Sequence, residues 1–182
     1  MLKWITNFTY KIEDAARKQS FVYKYACKYY QEVIEKEIAL GDITSLDNIL
    51  CIGGGICPFS AILFHQLTGA SVTVIDNNQS CVPKAREVIN QLGIGGKVQI
   101  LHQDGNDIDA SGYSVIHFAL QVFPMEQVFE SIEKQAKPGT KLLVRRPKKQ
   151  LGAIYSAFDS SSSKCTIHKA RNIGSTILSI VS

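Results

Sequence analysis

Asp76 stands at the end of the β-branched run Ser71-Val-Thr-Val-Ile75, about twenty residues beyond a run of three glycines, Gly53-Gly54-Gly55. An acidic residue at that remove, at the carboxyl end of a second strand, accepts hydrogen bonds from ribose hydroxyls. Glycines without a Cβ let a backbone turn sharply and let a flat organic molecule approach the main chain. Together the two signals predict a nucleotide-type ligand lying across a strand-to-helix turn. Either feature alone also has a plain reading, a tight turn for the glycines and a helix cap for Asp76.

The elements that must position these residues are legible around them. Ile49 to Ile52 is a continuous apolar run with neither face left for water, as in a buried parallel strand, and Gly53 ends it. Pro58 suits the first turn of the next helix, where its missing N–H has no intrahelical partner. That helix is expected from Pro58 to Leu67, closed by Gly69. The second strand follows, then a helix from about Ser80 to Leu92 with Val82, Ala85, Ile89 and Leu92 on its buried face and Gly93 at its end. Further strands are expected over Lys97 to His102, Val115 to Leu120 and Lys141 to Arg145. A helix with the stripe Met125, Val128, Phe129, Ile132 and Ala136 precedes the last of these.

Upstream, Phe8 to Leu40 reads as helix, with a break near Ser20 and a stop at Gly41. Val22, Tyr25, Ala26, Tyr29, Tyr30, Val33, Ile34 and Ile38 form one wide apolar stripe. Downstream, Arg146 to Gln150 reads as a polar loop, and Ser160 to Ser163 as a turn, with an unassigned stretch from Leu151 to Phe158 between them. Cys165 to Ala170 and Thr176 to Val181 pair as a hairpin through Asn172-Ile-Gly174. The fold class is therefore α/β: a doubly wound, mostly parallel seven-stranded sheet with a C-terminal antiparallel hairpin, preceded by N-terminal helices.

Composition narrows the function. The 182 residues are 45% hydrophobic and 20% charged, ordinary for one globular domain with a full core. The net charge of +4 permits an acidic small molecule and does not demand nucleic acid. No apolar stretch reaches membrane-spanning length and the first residues lack a signal-peptide core, so a cytoplasmic protein is expected. Cysteines 27, 51, 57, 81 and 165 are odd in number and never form C-x-x-C, and histidines 65, 102, 117 and 168 are scattered. Neither a disulfide framework nor a metal is expected.

From about Ile49 to Ser182 the chain resembles the class I S-adenosylmethionine-dependent methyltransferases, whose sheet ends in a reversed strand. Cys51-Ile-Gly53-Gly-Gly55-Ile-Cys57 keeps the first two glycines of that family's acidic-x-Gly-x-Gly-x-Gly motif, with Cys51 replacing the acid and Cys57 the third glycine. The resemblance implies S-adenosylmethionine as cofactor, with Asp76 on the ribose, Asp104 and Gly105 beside the adenine, and Ala119, Leu120 and Gln121 along the ligand. A narrower resemblance is to nicotianamine synthases, which transfer the aminocarboxypropyl arm of the same cofactor. It rests on the Gly-x-Gly-x-x-Pro turn, Gly53 to Pro58, and on the pair Asp76-Asn77. It also implies a cofactor-contacting tyrosine at Tyr30 or its neighbour Tyr29.

The expected organisation is one cofactor-binding domain, with residues 1–45 a helical cap and 46–182 a Rossmann-like core. The expected function is methyl transfer to a small molecule. Aminocarboxypropyl transfer and a non-catalytic cofactor-binding role are the alternatives. Nicotinamide dehydrogenases compete weakly, because Pro58 stands where their third glycine allows close helix packing. The expected partner is a small-molecule substrate, with neither nucleic acid nor membrane, and homodimerisation left open. No catalytic residue is singled out. Arg145-Arg-Pro-Lys-Lys149 lies at the ligand-binding edge and reads either as a grip for a carboxylate or phosphate or as a solvated loop.

Overall fold

A computed structural model describes residues 20–151 and 164–182. The expected helix before Ser20, the Ser160 to Ser163 turn and nearly all of the Leu151 to Phe158 stretch lie outside these residues. The chain runs through helix α1 (Ser20–Gly41), β1 (Asn48–Ile52), α2 (Phe59–Thr68), β2 (Ser71–Asp76), α3 (Val82–Gln91), β3 (Val98–His102), β4 (Val115–Phe118), α4 (Met125–Gln135), β5 (Lys141–Pro147), β6 (Lys164–Ile167) and β7 (Ile173–Ile180). Its seven strands form one sheet in the order β3-β2-β1-β4-β5-β7-β6. Strands β1 to β5 are parallel, and β7 inserts antiparallel between β5 and β6.

Strand alternation divides the core into two layers. Ile49 and Cys51 of β1 point into a layer with Ile34 of α1, Phe64 of α2 and Ile89 of α3. Leu50 and Ile52 point the other way, into a layer with Phe129 and Ile132 of α4. Both faces of β1 and β4 are thus covered, which is why Ile49 to Ile52 reads as an unbroken apolar run and β4 carries His117 as its one polar residue, buried with the rest. The strand order reverses between β1 and β4, so the connections leaving their carboxyl ends diverge and open a crevice.

Several boundaries differ from expectation for physical reasons. Helix α1 includes Gly41, and the left-handed residue that stops it is Asp42, with φ 46. A short polar side chain tolerates that conformation better than most. Tyr25 falls out of the predicted stripe and is 71% exposed, while Ala26, Val33 and Ile34 are buried. Strand β4 stops at Phe118, because the Val122 N–H donates to the Ala119 carbonyl and turns the chain. Strand β5 runs on to Pro147, since its pairing with β7 continues past Arg146 with a register shift. The hairpin turn lies earlier than predicted: Ile173 and Gly174 already belong to β7. Gly69 (φ 79) and Gly93 (φ 69) do take the left-handed conformation beyond their helices.

Candidate functional site: a cavity across the strand ends

Gly53 and Gly55 have φ of 85 and 62, which L side chains rarely adopt. Gly54 is required for a different reason: a Cβ there would sit 2.3 Å from Val74 Cγ1. The turn is tied to β2 twice. The Gly53 N–H donates to the Ile75 carbonyl at 2.9 Å, and the Gly55 N–H donates to Asp76 Oδ2 at 2.7 Å. Asp76 Oδ1 accepts from the Asn78 N–H at 2.9 Å. A carboxylate offers about four acceptor positions, so Asp76 braces the turn and retains capacity for a ligand's hydroxyls.

One strand further out, Asp104 Oδ1 accepts from both the backbone N–H and the side-chain amide of Asn106, at 2.9 and 2.8 Å. These bonds, the Asn106 backbone N–H foremost, hold the Asp104 carboxyl below the usual carboxylate range. Asn77 Nδ2 reaches Asp104 Oδ2 at 3.4 Å, and His102 Nε2 lies 3.2 Å from the Asn77 carbonyl oxygen. Gly105 is a packing glycine, because a Cβ there would lie 2.7 Å from Val128 Cγ1.

Gly53 to Gly55, Asp76, Asn77, Asp104 and Gly105 border one cavity of about 450 Å³. That size suits a small-molecule site. All eleven residues singled out from sequence line it, including Tyr30 from α1 and Ala119, Leu120 and Gln121 from the turn after β4. Leu120 also packs with Val33 and Ile173 in a small apolar cluster, which fastens that turn to α1 and β7. Of the Arg145 to Lys149 run, read as either a grip or a solvated loop, Arg145 itself is neither: it is buried, at the cavity wall, and already paired.

The sequence reading missed what Arg145 pairs with. Its Nε and Nη2 donate to the two oxygens of Glu37, each at 2.8 Å, and Nη1 donates to Ser60 Oγ at 2.9 Å. Thr176 of β7 donates its hydroxyl to Glu37 Oε1 at 2.6 Å. Glu37 is 0% exposed. Burial alone would raise its pKa, but the Arg145 charge, aided by these hydrogen bonds, pulls it down to about 2. His117 Nε2 lies 3.6 Å from Glu37 Oε2, and burial lowers that imidazole to about 3, so it is neutral. Tyr30 stacks on Phe59 at 5.6 Å, with the Arg145 guanidinium 5.8 Å from the Tyr30 ring centroid. Among the described residues, this end of the cavity is therefore built on a matched ion pair with no free cation. The signal was present in the sequence: Glu37 falls within the apolar stripe of α1, between Ile34 and Ile38.

Cys51, which stands where the methyltransferase motif has an acid, is buried near the carboxyl end of β1, and burial pushes its thiol up to about 12. All five cysteines are free thiols. Among the described residues no cluster of histidine, cysteine, aspartate or glutamate is arranged to hold a metal, and no helix is long and apolar enough to cross a membrane.

No protein-family model and no curated protein matches the sequence. Solved structures do match in three dimensions. The nicotianamine synthase MtNAS in complex with MTA and tNA superposes with a TM-score of 0.82 and 22% identity, over 99% of this chain and 74% of that one. The fold is that of the class I S-adenosylmethionine-dependent methyltransferases. A glutamate-to-glutamine mutant of MtNAS in complex with S-adenosylmethionine gives 0.81 at 21% identity, covering 97% and 74% of the two chains. A putative S-adenosylmethionine-dependent methyltransferase from Methanococcus maripaludis gives 0.70 at 14%, covering 94% and 90%. An RNA methyltransferase from Salinibacter ruber, in complex with S-adenosyl-L-homocysteine, gives 0.65 at 16%, covering 82% and 90%. In this methyltransferase fold the crevice between β1 and β4 is where the cavity of the present chain opens.

Proposed function

We propose that the protein is an S-adenosylmethionine-dependent transferase acting on a small molecule. The observation that carries this reading is the convergence of the glycine turn, Asp76 and Asp104, from the ends of three adjacent strands, on one cavity at the switch point of the sheet. The residues fit the cofactor. Asp76 would hold the ribose hydroxyls with its remaining lone pairs, the side chains of Asn77 and Asp104 the adenine, and Tyr30 the methionine arm. The room left by the absent Cβ of Gly53 lets the ligand lie against the main chain. When bound, the cofactor supplies carbon centres already activated by the sulfonium, so the chain's task is to position the acceptor and exclude water. Among the described residues, the closed Glu37–Arg145 pair and the neutral His117 present a wall with no uncompensated charge, which favours an uncharged nucleophile at that end.

Two transfers are open to such a site. Similarity to MtNAS over nearly the whole chain favours aminocarboxypropyl transfer over the methyl transfer expected from the fold's usual chemistry. Methyl transfer is the second reading, supported by the likeness to methyltransferases over most of the chain. The products separate them. Incubation with S-adenosylmethionine and a metabolite extract, followed by mass spectrometry, yields methylthioadenosine above its spontaneous background in the first case and S-adenosylhomocysteine in the second. Tight calorimetric binding of a nicotinamide dinucleotide, with none of the sulfonium cofactor or its products, would overturn both.

A further inference from the structure

The cavity has two chemically different ends. Toward β2 and β3 it is lined by the carboxylates of Asp76 and Asp104, which can only accept hydrogen bonds. Toward β5 and β7, Ser60 and Asn172 line it with the reverse character. Tyr29 receives the Arg171 N–H at 3.0 Å and spends its one hydroxyl proton on Asn172 Oδ1, which leaves the carboxamide its N–H groups to offer. Ser60, half-buried in the first turn of α2, accepts from Arg145 Nη1 at 2.9 Å. The guanidinium is itself fixed by both oxygens of buried Glu37. With a cation against one side of its oxygen, the Ser60 hydroxyl turns its hydrogen to the other, and among the described residues no acceptor takes it. A hydroxyl polarised in this way is a strengthened donor.

The wall behind Ser60 adds a condition on charge. Arg145 and Glu37 cancel one another, so a lone anion brought to this end would go unanswered, whereas an α-amino acid carries an ammonium beside its carboxylate. We propose that Ser60 seats the α-carboxylate of the cofactor's methionine arm, with Arg145, held by Glu37, orienting the hydroxyl. The inference rests on the S-adenosylmethionine reading and adds which part of that molecule lies where: the nucleoside hydroxyls at the end lined by acceptors, the amino acid at the end lined by donors. Fixing the carboxylate fixes the arm, and the arm's torsions decide which carbon on the sulfonium faces the acceptor. Ser60 is thereby a residue that bears on the choice between the two transfers.

Calorimetry on the full chain with three ligands tests it. S-adenosylhomocysteine carries the whole amino acid, its decarboxylated analogue, the aminopropyl thioether, lacks only the carboxylate, and methylthioadenosine lacks the arm. The wild type is expected to bind S-adenosylhomocysteine at least roughly tenfold more tightly than the aminopropyl thioether, a comparison that needs no variant. Ser60→Ala is expected to lose at least roughly tenfold in affinity for S-adenosylhomocysteine and to hold its affinity for the other two ligands within about twofold, which also shows that the variant is folded. Equal wild-type affinity for S-adenosylhomocysteine and the aminopropyl thioether, unchanged S-adenosylhomocysteine affinity in Ser60→Ala, or a loss shared equally by all three ligands would each overturn the assignment of Ser60 and leave the cofactor reading in place. Failure of all three to bind the wild type would instead overturn the cofactor reading, and this inference with it.

Discussion

Replacing Arg145 by methionine leaves buried Glu37, among the described residues, with the Thr176 hydroxyl and the neutral His117 ring 3.6 Å away in place of a fixed cation. Two routes give the size of the loss. Breaking a buried ion pair by removing one partner costs about 3–5 kcal/mol. The depression of the Glu37 carboxyl from 4.5 to about 2, at roughly 1.4 kcal/mol per unit, gives about 3 kcal/mol. The sign of the pH dependence is as specific as the magnitude. In the wild type the Glu37 pKa lies below its unfolded value, so the contribution is complete above about 4.5 and is lost as pH falls toward about 2. In Arg145→Met the unpaired buried carboxyl is raised instead, so the folded state takes up a proton first and is relieved by acid. Urea unfolding followed by circular dichroism should therefore show the variant about 3 kcal/mol less stable at pH 7, with a gap that narrows as pH falls. The double variant Glu37→Leu with Arg145→Met, which removes both charges, should recover most of the loss. A loss below about 1 kcal/mol at pH 7, or a gap constant between pH 7 and pH 4, would refute the argument that a closed ion pair carries this wall.

If the proposed function holds, replacing Asp76 by Ala should weaken S-adenosylhomocysteine binding by about 1.5–3 kcal/mol in calorimetry, since it would remove the proposed ribose acceptor together with the brace on the Gly55 N–H. Gly105→Ala drives a methyl group into Val128 and should cost about 1–3 kcal/mol in chemical unfolding; Val128→Ala in the same chain should return part of it, which would not happen if the glycine were needed for its conformation. His117, lowered to about 3, should show no imidazole titration by NMR between pH 8 and pH 5. Because its folded value lies below the unfolded one, its contribution is present above about pH 6.5 and is lost as pH falls toward about 3, and His117→Phe should remove that part of the acid sensitivity.

Much of this architecture was legible in the sequence because strands buried on both faces and helices with one apolar stripe leave different periodicities, as β1 and α4 do. The glycine turn and Asp76 were legible because their spacing is local to one β-α-β unit. The Glu37–Arg145–Thr176 network was not, because its members lie on three elements far apart in the chain and no period links them. Arg145 illustrates the difficulty: followed by Arg146 and two lysines, it resembles a solvated basic run, and only the insertion of β7 beside β5 reveals that it is core. Strand ends shifted by a residue or two wherever hydrogen bonding with a distant partner, rather than local composition, decides where pairing stops, as at Phe118 and Pro147.

That network also has a consequence for how the chain is made. Helix α1 is made before the strands it packs on, carrying a carboxylate destined for the interior, and the guanidinium that answers it follows more than a hundred residues later, and the threonine hydroxyl later still. Until β5 and β7 have been synthesised, docking α1 would strand a bare charge out of water, a cost of several kcal/mol that outweighs much of its apolar burial. The seating of the helix beside the cavity is thus coupled to two strands made well after it, β5 and β7.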